Sequence, residues 1–161
     1  MTEKQAELTP RFAEGDPMRV IGLAERYDAV TMYRIPEQWA HFQQRLAQVR
    51  GRTDPAQFGI CYRLGEKPFA FEYLTAVMVE EGAPLPAGFV ERRLPERRHA
   101  VFTHRGHPSG LRPLMDAIFH DWLPRSGHKS GGNPDFVEVY GEDFDLVRLQ
   151  GVIEVWVPLE G

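Results

Sequence analysis

Two short stretches in the last third of the chain place carboxylates among aromatic side chains. Because side chains alternate across a β-strand, the first stretch presents Phe136, Glu138 and Tyr140 on one face. The second stretch presents Glu154 and Trp156 in the same way. A carboxylate partly removed from water regains its lost solvation from a cation, and flat aromatic rings add cation–π attraction. This pattern predicts a binding site for a cationic or polarised organic molecule, with Glu138 as its counter-charge.

The same carboxylate supports a second interpretation, in which the site is catalytic. Apolar surroundings raise the pKa of a glutamate, which can then act as a general base on water. Glu138 is the candidate base, and Glu154 is a second carboxylate able to share its proton. Tyr140 or Tyr62 would orient the substrate. A third interpretation leaves Glu138 facing solvent, because an antiparallel sheet commonly has one wet face. Among these we expect a binding protein rather than an enzyme.

The elements that would position these residues repeat along the chain. Residues 18–81 and 89–160 each read as two strands, a helix and two further strands. Pro36 begins the first helix, and both helices carry apolar side chains at helical spacing. Trp39 and Trp122 lie on these apolar stripes, so we expect them in the core.

The repeat also predicts which residues share a face. Tyr62 matches Tyr140 at an offset of 78 residues, so the two halves are expected to present equivalent positions to one cleft. The first half then contributes three further ligand-facing residues: Ile60, Tyr62 and Met78. The purely aliphatic strand faces are expected to pack on the helices. The predicted fold class is α+β: a duplicated β-α-β-β module with pseudo-two-fold symmetry, an antiparallel sheet backed by two helices, and a ligand cleft on the opposite face.

Length and composition limit the class of protein. The 161 residues, 42% of them hydrophobic, suit a single domain preceded by a polar, flexible tail over residues 1–17. A formal net charge of −4 disfavours direct binding of DNA or RNA, which needs a basic face. The single cysteine, Cys61, excludes an internal disulfide and suits a reducing, cytoplasmic location. No stretch of the sequence approaches the roughly 20 apolar residues of a membrane span.

Two other clusters carry weaker signals. His104 and His107 have a spacing that suits a metal ion, but no third ligand accompanies them, so we expect no metal and no cofactor. A group of arginines lies close together in the sequence: Arg92, Arg93, Arg97, Arg98 and Arg105. This group fits either a solvated hairpin or an interface to an acidic partner.

Four motifs of the second half form a familiar set. They are His104-Arg105-Gly106, Trp122-Leu123-Pro124-Arg125-Ser126-Gly127, Pro134-Asp135-Phe136 followed by Glu138 and Tyr140, and Ile153-Glu154-Val155-Trp156-Val157-Pro158-Leu159. Together they resemble the GyrI-like small-molecule-binding domain, which is also the effector-binding part of AraC- and MerR-type multidrug-sensing regulators. The resemblance covers about residues 18–160. It implies a buried glutamate that meets cationic, aromatic or lipophilic ligands, with Glu138 at that position and Trp156 on the matching last strand.

The resemblance also implies a function, which is to sense or sequester a small-molecule effector. One branch of the family hydrolyses cyclopropane-bearing electrophiles with a glutamate in the same cleft, and other members modulate gyrase. A hydrolase, and a protein-interaction module acting on a topoisomerase or a regulator, are therefore the alternatives. No helix-turn-helix segment is recognisable before residue 18, so we expect a stand-alone ligand-binding domain, and the sequence names no protein partner.

Overall fold

One antiparallel sheet of eight strands forms the framework of the protein. The computed structural model describes residues 8–64 and 70–160. The later strands are rich in β-branched and aromatic residues, which fit a pleated, half-buried surface. The strands are β1 (Arg11–Gly15), β2 (Met18–Tyr27), β3 (Arg52–Arg63), β4 (Phe71–Val79), β5 (Val90–Leu94), β6 (Arg97–Arg105), β7 (Phe136–Tyr140) and β8 (Val152–Pro158).

The order of the strands is symmetric about the centre of the sheet. Across the sheet it runs β1-β6-β8-β7-β3-β4-β2-β5, so exchanging β1 with β5, β2 with β6, β3 with β7 and β4 with β8 reproduces the same order reversed. The middle pair of the central β3–β7 ladder is Gly59 with Glu138. The pseudo-two-fold axis therefore passes between these two residues. This order confirms the predicted α+β class and the duplicated antiparallel sheet backed by two helices.

Each half contributes one helical segment between its long strands. The first contains α1 (Ile35–Arg45), which has Pro36 in its first turn and continues into a short 3₁₀ turn. The second contains α2 (Leu111–Ala117), a π-helical turn over Ile118–Trp122, and α3 (Leu123–Ser126). Pro124 lacks the N–H that a regular α-helix would use at this point, which accounts for the irregular path. None of the helices in the described ranges is long and apolar enough to cross a membrane.

The two faces of the sheet bury different sets of side chains. On one face, Phe42 of α1 packs with Ile21 and Val77, and Ile118 of the second helix packs with Val155. The other face carries no helix, yet most of its apolar side chains are buried because the sheet is curled on itself. The apolar cluster on this helix-free face contains Val20, Ala56, Phe58, Ile60, Leu74, Ala76, Leu94 and Val137.

The predicted tail is partly ordered, so that prediction is wrong for Arg11–Gly15. These residues form β1, an edge strand that pairs with β6. Aromatic contacts hold the strand in place, because the Phe12 ring lies 6.4 Å from the Trp122 ring and 5.3 Å from the His128 ring. The first half of the duplication therefore begins at β1 rather than at residue 18. The prediction for residues 1–7 lies outside the described part of the chain.

Candidate functional site

Glu138 points from β7 into the layer between the sheet and its helices. On β3 it lies opposite Gly59, and on β8 it lies opposite Val155, whose side chain belongs to the helix-side core. The Glu138 side chain is buried, with 8% of its surface exposed. A buried carboxylate is costly unless hydrogen bonds or a positive charge compensate for its lost hydration. Its partners therefore define the site.

Two tyrosine hydroxyl groups hold one oxygen of this carboxylate. Tyr73 Oη donates to Glu138 Oε1 at 2.6 Å, and Tyr140 Oη donates to the same oxygen at 2.9 Å. Trp39 Nε1 in turn donates to Tyr73 Oη at 3.1 Å. Both hydrogen bonds to Glu138 end on Oε1, so Oε2 accepts none from residues 8–64 and 70–160. The second oxygen is thus available to a ligand.

Burial controls the protonation of these three groups. It raises the pKa of Glu138 from 4.5 to about 7, and the hydrogen bonds from Tyr73 and Tyr140 act in the opposite direction without cancelling it. Burial and the neighbouring carboxylate raise the pKa of both tyrosines well above the ordinary value. The phenols therefore stay neutral and remain donors, while Glu138 changes its charge close to neutral pH.

Aromatic rings from both halves surround the carboxylate. The Trp39 ring of α1 lies edge-on to Tyr140, with centroids 5.0 Å apart, and 6.5 Å from the Tyr73 ring. Phe144 lies edge-on to the Tyr140 ring at 5.1 Å. Such rings offer both apolar contact and a negative face to an organic cation.

Gly59 makes room for this arrangement. A Cβ at position 59 would overlap Tyr73 Oη and would lie 2.6 Å from Glu138 Oε1, a distance that real side chains do not adopt. The residue equivalent to Glu138 in the first half is therefore a glycine, Gly59. Only the second half carries the acid, and the first half supplies Tyr73 and Trp39.

The structure divides the predicted ligand-binding residues between the two faces of the sheet. Those on the helix side are Phe136, Glu138 and Tyr140. Those on the helix-free face are Ile60, Tyr62, Met78, Glu154 and Trp156. The prediction that all of them share one cleft is therefore wrong, and Glu154 is not placed to share a proton with Glu138.

A one-residue difference in register explains this error. The predicted offset between the halves is 78 residues, whereas Gly59 and Glu138, which are equivalent in the structure, are 79 residues apart. Because side chains alternate, a slip of one residue moves a whole strand to the other face. Val137, expected to pack on a helix, instead pairs with Trp156 on the helix-free face. The expectation holds for β8, whose Val155 packs on the helix side.

The residues on the helix-free face have partners of their own. Trp156 Nε1 donates to Glu154 Oε1 at 2.9 Å, and Arg11 Nη2 lies 3.1 Å from Glu154 Oε2. The Arg11 guanidinium also lies over the Trp156 ring, 5.4 Å from its centroid. The predicted carboxylate–aromatic pair on β8 is therefore occupied by an arginine of the same chain.

Sequence reasoning missed Tyr73 and Gly59, and it assigned Trp39 only to the core. Tyr73 lies opposite Cys61 in the β3–β4 pair, so a correct strand register would have placed it on the face of Glu138. Trp39 lies on the apolar stripe of α1, but its indole N–H requires a hydrogen-bond partner when buried. The need of this N–H for a partner could have indicated a polar group between α1 and the sheet.

The part of the chain that the structure describes contains no candidate metal site. No group of three or more His, Cys, Asp or Glu side chains in residues 8–64 and 70–160 is placed to hold a metal ion. His104 Nε2 instead lies 2.8 Å from the His107 carbonyl oxygen, within the turn before α2. Cys61 is buried, and burial raises the pKa of its thiol.

Comparison with known proteins gives one family and a consistent fold. The model of the GyrI-like small molecule binding domain matches residues 8–160. The transcriptional regulator BrlR of Pseudomonas aeruginosa is 30% identical over 152 residues, covering 92% of this chain and 54% of BrlR. The chain thus spans about half the length of that relative.

Two solved structures share the fold at low identity. A putative bacterial transcription regulation protein from Staphylococcus aureus MU50 superposes with a TM-score of 0.74 at 18% identity, covering 96% of this chain and 100% of that one. The structure of SAV2435 bound to tetraphenylphosphonium gives a TM-score of 0.72 at 18% identity, covering 96% and 95% of the two chains. At this identity the likeness extends to the fold alone.

Proposed function

Because the chain belongs to the GyrI-like small-molecule-binding family, we propose that it binds lipophilic organic cations at Glu138, between the sheet and its two helices. The observation that carries this proposal is the buried Glu138 carboxylate with both tyrosine hydrogen bonds on Oε1. A cation meeting Oε2 would compensate the buried negative charge without breaking either bond. The aromatic rings around it would cover the apolar parts of the ligand.

Binding requires the Trp39 ring to give way. This ring packs on Tyr140 and donates to Tyr73, so it covers the tyrosine pair from the side of α1. A ligand with flat rings would replace the edge-on Trp39 contact by a contact of the same kind. The Tyr73 hydroxyl would then lose the hydrogen bond that it accepts from Trp39 Nε1 and keep the one that it donates to Glu138.

The fold neighbour SAV2435 supports the choice of ligand class. It was solved bound to tetraphenylphosphonium, a permanent cation that carries aromatic rings. BrlR is a transcriptional regulator, and this chain aligns with about half of its length. We therefore propose that the domain either senses its ligand on behalf of a regulatory protein or sequesters the ligand. The direct partner in this proposal is a small molecule.

Calorimetric titration with tetraphenylphosphonium tests the proposal. The wild-type protein should bind it in preference to triphenylphosphine oxide, which resembles it in shape but has no net charge. Glu138→Gln should weaken the binding of the cation by about tenfold or more, since it removes the counter-charge and keeps the volume. Glu154→Gln is the matched control, because it makes the same change on the opposite face, and it should leave affinity within about twofold. Equal effects of the two substitutions would refute the assignment.

Hydrolysis is the second candidate function. The observation that favours it is the pKa of Glu138 of about 7, which suits a general base at neutral pH. Glu138 would accept a proton from water as the water oxygen attacks a ring carbon of the electrophile. The ring C–C bond at that carbon breaks, its electron pair moves to the departing carbon, and Glu138 returns the proton to that carbon. Turnover of a cyclopropane-bearing electrophile that is lost in Glu138→Gln and kept in Glu154→Gln would establish it. If the wild type does not turn the substrate over, hydrolysis is excluded and binding is the remaining candidate function.

A further inference from the structure

A concave region lies on the helix-free face, away from Glu138. It is a groove of about 630 Å³ at the end of β3 and the start of β4 that faces the loop before β7. Several arginines of the basic cluster in the sequence converge here with Arg63. The residues that matter for its chemistry are Tyr62, Glu72, Arg92, Arg97, Gly131 and Gly132.

Most of the groove arginines already have carboxylate partners. Arg92 Nη2 lies 2.8 Å from Glu72 Oε1, and Arg63 Nε lies 3.2 Å from Asp135 Oδ2. Arg93 is likewise paired with carboxylates on the outer side of the groove. These pairs neutralise the positive charge on their side, so they do not by themselves attract an anion.

Arg97 differs from these arginines. Its Nη1 donates to the Gly132 carbonyl oxygen at 2.7 Å, and no carboxylate in residues 8–64 and 70–160 forms an ion pair with it. A guanidinium carries five N–H donors, so most of them remain for another acceptor. The side chain is half-buried at the edge of the groove, which strengthens its attraction for an anion relative to an exposed arginine.

The loop beside Arg97 is shaped to hold it. A Cβ at Gly131 would overlap Arg97 Nη2 and would lie 3.2 Å from the Leu159 carbonyl oxygen, so glycine leaves room for the guanidinium against the backbone at this point. Gly132 has a φ of 65°, in the left-handed region that favours glycine. The loop is fixed to the end of β8, since the Gly131 N–H donates to the Pro158 carbonyl at 2.8 Å. The guanidinium is therefore positioned before any ligand arrives.

We infer that this groove is a second binding site, which takes a small organic anion whose carboxylate or phosphate group is bound by Arg97. The planar guanidinium matches both groups because it can donate two parallel hydrogen bonds. Tyr62, which lies under the Arg92 guanidinium at 5.8 Å, and Pro95 provide apolar surface for the rest of the molecule. The site lies across the sheet from Glu138, so anion and cation do not compete for space.

Calorimetry with benzoate and phenyl phosphate at constant ionic strength tests this site. The two probes distinguish a carboxylate from a phosphate ligand, and benzyl alcohol is the neutral comparison. The wild type should bind at least one anion saturably, and Arg97→Gln should weaken that binding by about tenfold. Arg105→Gln is the matched control, because it removes the same charge from an exposed position on the same strand and should change affinity by less than about twofold.

Two further measurements keep the test decisive. If Arg97→Gln does not fold, Arg97→Lys replaces it, since lysine keeps the charge but not the planar donor pair, and affinity should fall by about threefold or more. Saturation with tetraphenylphosphonium should leave the affinity of the anion unchanged within about twofold. No saturable binding of either anion to the wild type, or equal losses in the Arg97 and Arg105 variants, would overturn the inference.

Discussion

Gly59 and Glu138 face each other across the centre of the sheet, and the Glu138 carboxylate lies over the space that a side chain at position 59 would enter. The two residues are equivalent under the pseudo-two-fold symmetry. A duplicated fold would place two side chains against each other at this point, and two carboxylates there would repel one another. The chain instead keeps one acid and removes its counterpart, which gives a single charged site with room for donors from both halves.

Gly59→Ala should disrupt the site directly. The added Cβ overlaps Tyr73 Oη and crowds Glu138 Oε1, so the tyrosine–carboxylate contact must open. We expect a loss of about 2 kcal/mol in the free energy of unfolding and weaker binding of tetraphenylphosphonium. Urea denaturation and calorimetry measure the two effects. Gly82→Ala, where a Cβ meets nothing within 4 Å, is the control and should change neither quantity appreciably. A fully stable Gly59→Ala variant with unchanged affinity would contradict the geometry.

The stability of the free protein should fall as the pH rises from about 5 to 7. Glu138 has a pKa of about 7 in the folded protein against 4.5 as the ordinary value, so the folded state binds more protons in this window. Glu138→Gln should remove that part of the pH dependence and become the more stable protein above pH 7, by up to about 3 kcal/mol. Urea denaturation of both proteins at pH 5 and pH 8 measures the difference. If the free energies of unfolding of the two proteins changed with pH in parallel, ionisation of Glu138 would not destabilise the folded state.

Binding of tetraphenylphosphonium should strengthen as the pH rises. The ligand has no titratable group, so the pH dependence reports on the protein. Below the pKa of Glu138, near 7, each unit of pH should lower the affinity by up to about tenfold, because the carboxyl must lose its proton to meet the cation. Above that pKa the affinity should level off, and Glu138→Gln should give a flat profile throughout. An unchanged affinity between pH 5 and pH 8 in the wild type would exclude Glu138 as the counter-charge.

Removing either phenol should shift the midpoint of that profile upward. Tyr73 and Tyr140 both donate to Glu138 Oε1, and these bonds lower the pKa of the carboxyl against the effect of burial. Tyr73→Phe and Tyr140→Phe should each move the midpoint to higher pH, and the pH dependence of calorimetric affinity measures it. Tyr27→Phe is the control, since Tyr27 Oη donates to Gln38 rather than to the carboxylate. The same shift in all three variants would point to a general loss of packing.

Much of the fold followed from local patterns, because alternation and helical spacing depend only on neighbouring residues. The aliphatic face of β8 and the two helices were predicted for this reason. The face of β7 was not, because the aliphatic Val137 and Val139 favour packing on the helices, whereas pairing with β3 places Glu138 on the helix side instead. Tyr73 could not be assigned without the pairing of β3 with β4. Strand register depends on pairing across the whole sheet. A single unmatched residue between the halves was therefore enough to assign the side chains of β7 to the wrong face.

A crystal structure of the protein with tetraphenylphosphonium would show where the cation binds. We predict that the phosphonium lies on the helix side of the sheet, within about 6 Å of the Tyr140 ring and beside Glu138 Oε2, with the Trp39 ring displaced. Both tyrosine bonds to Oε1 should remain. A ligand bound on the helix-free face, beside Tyr62 or Trp156, would contradict the claim and return the site to the face of the sheet that the sequence alone had favoured.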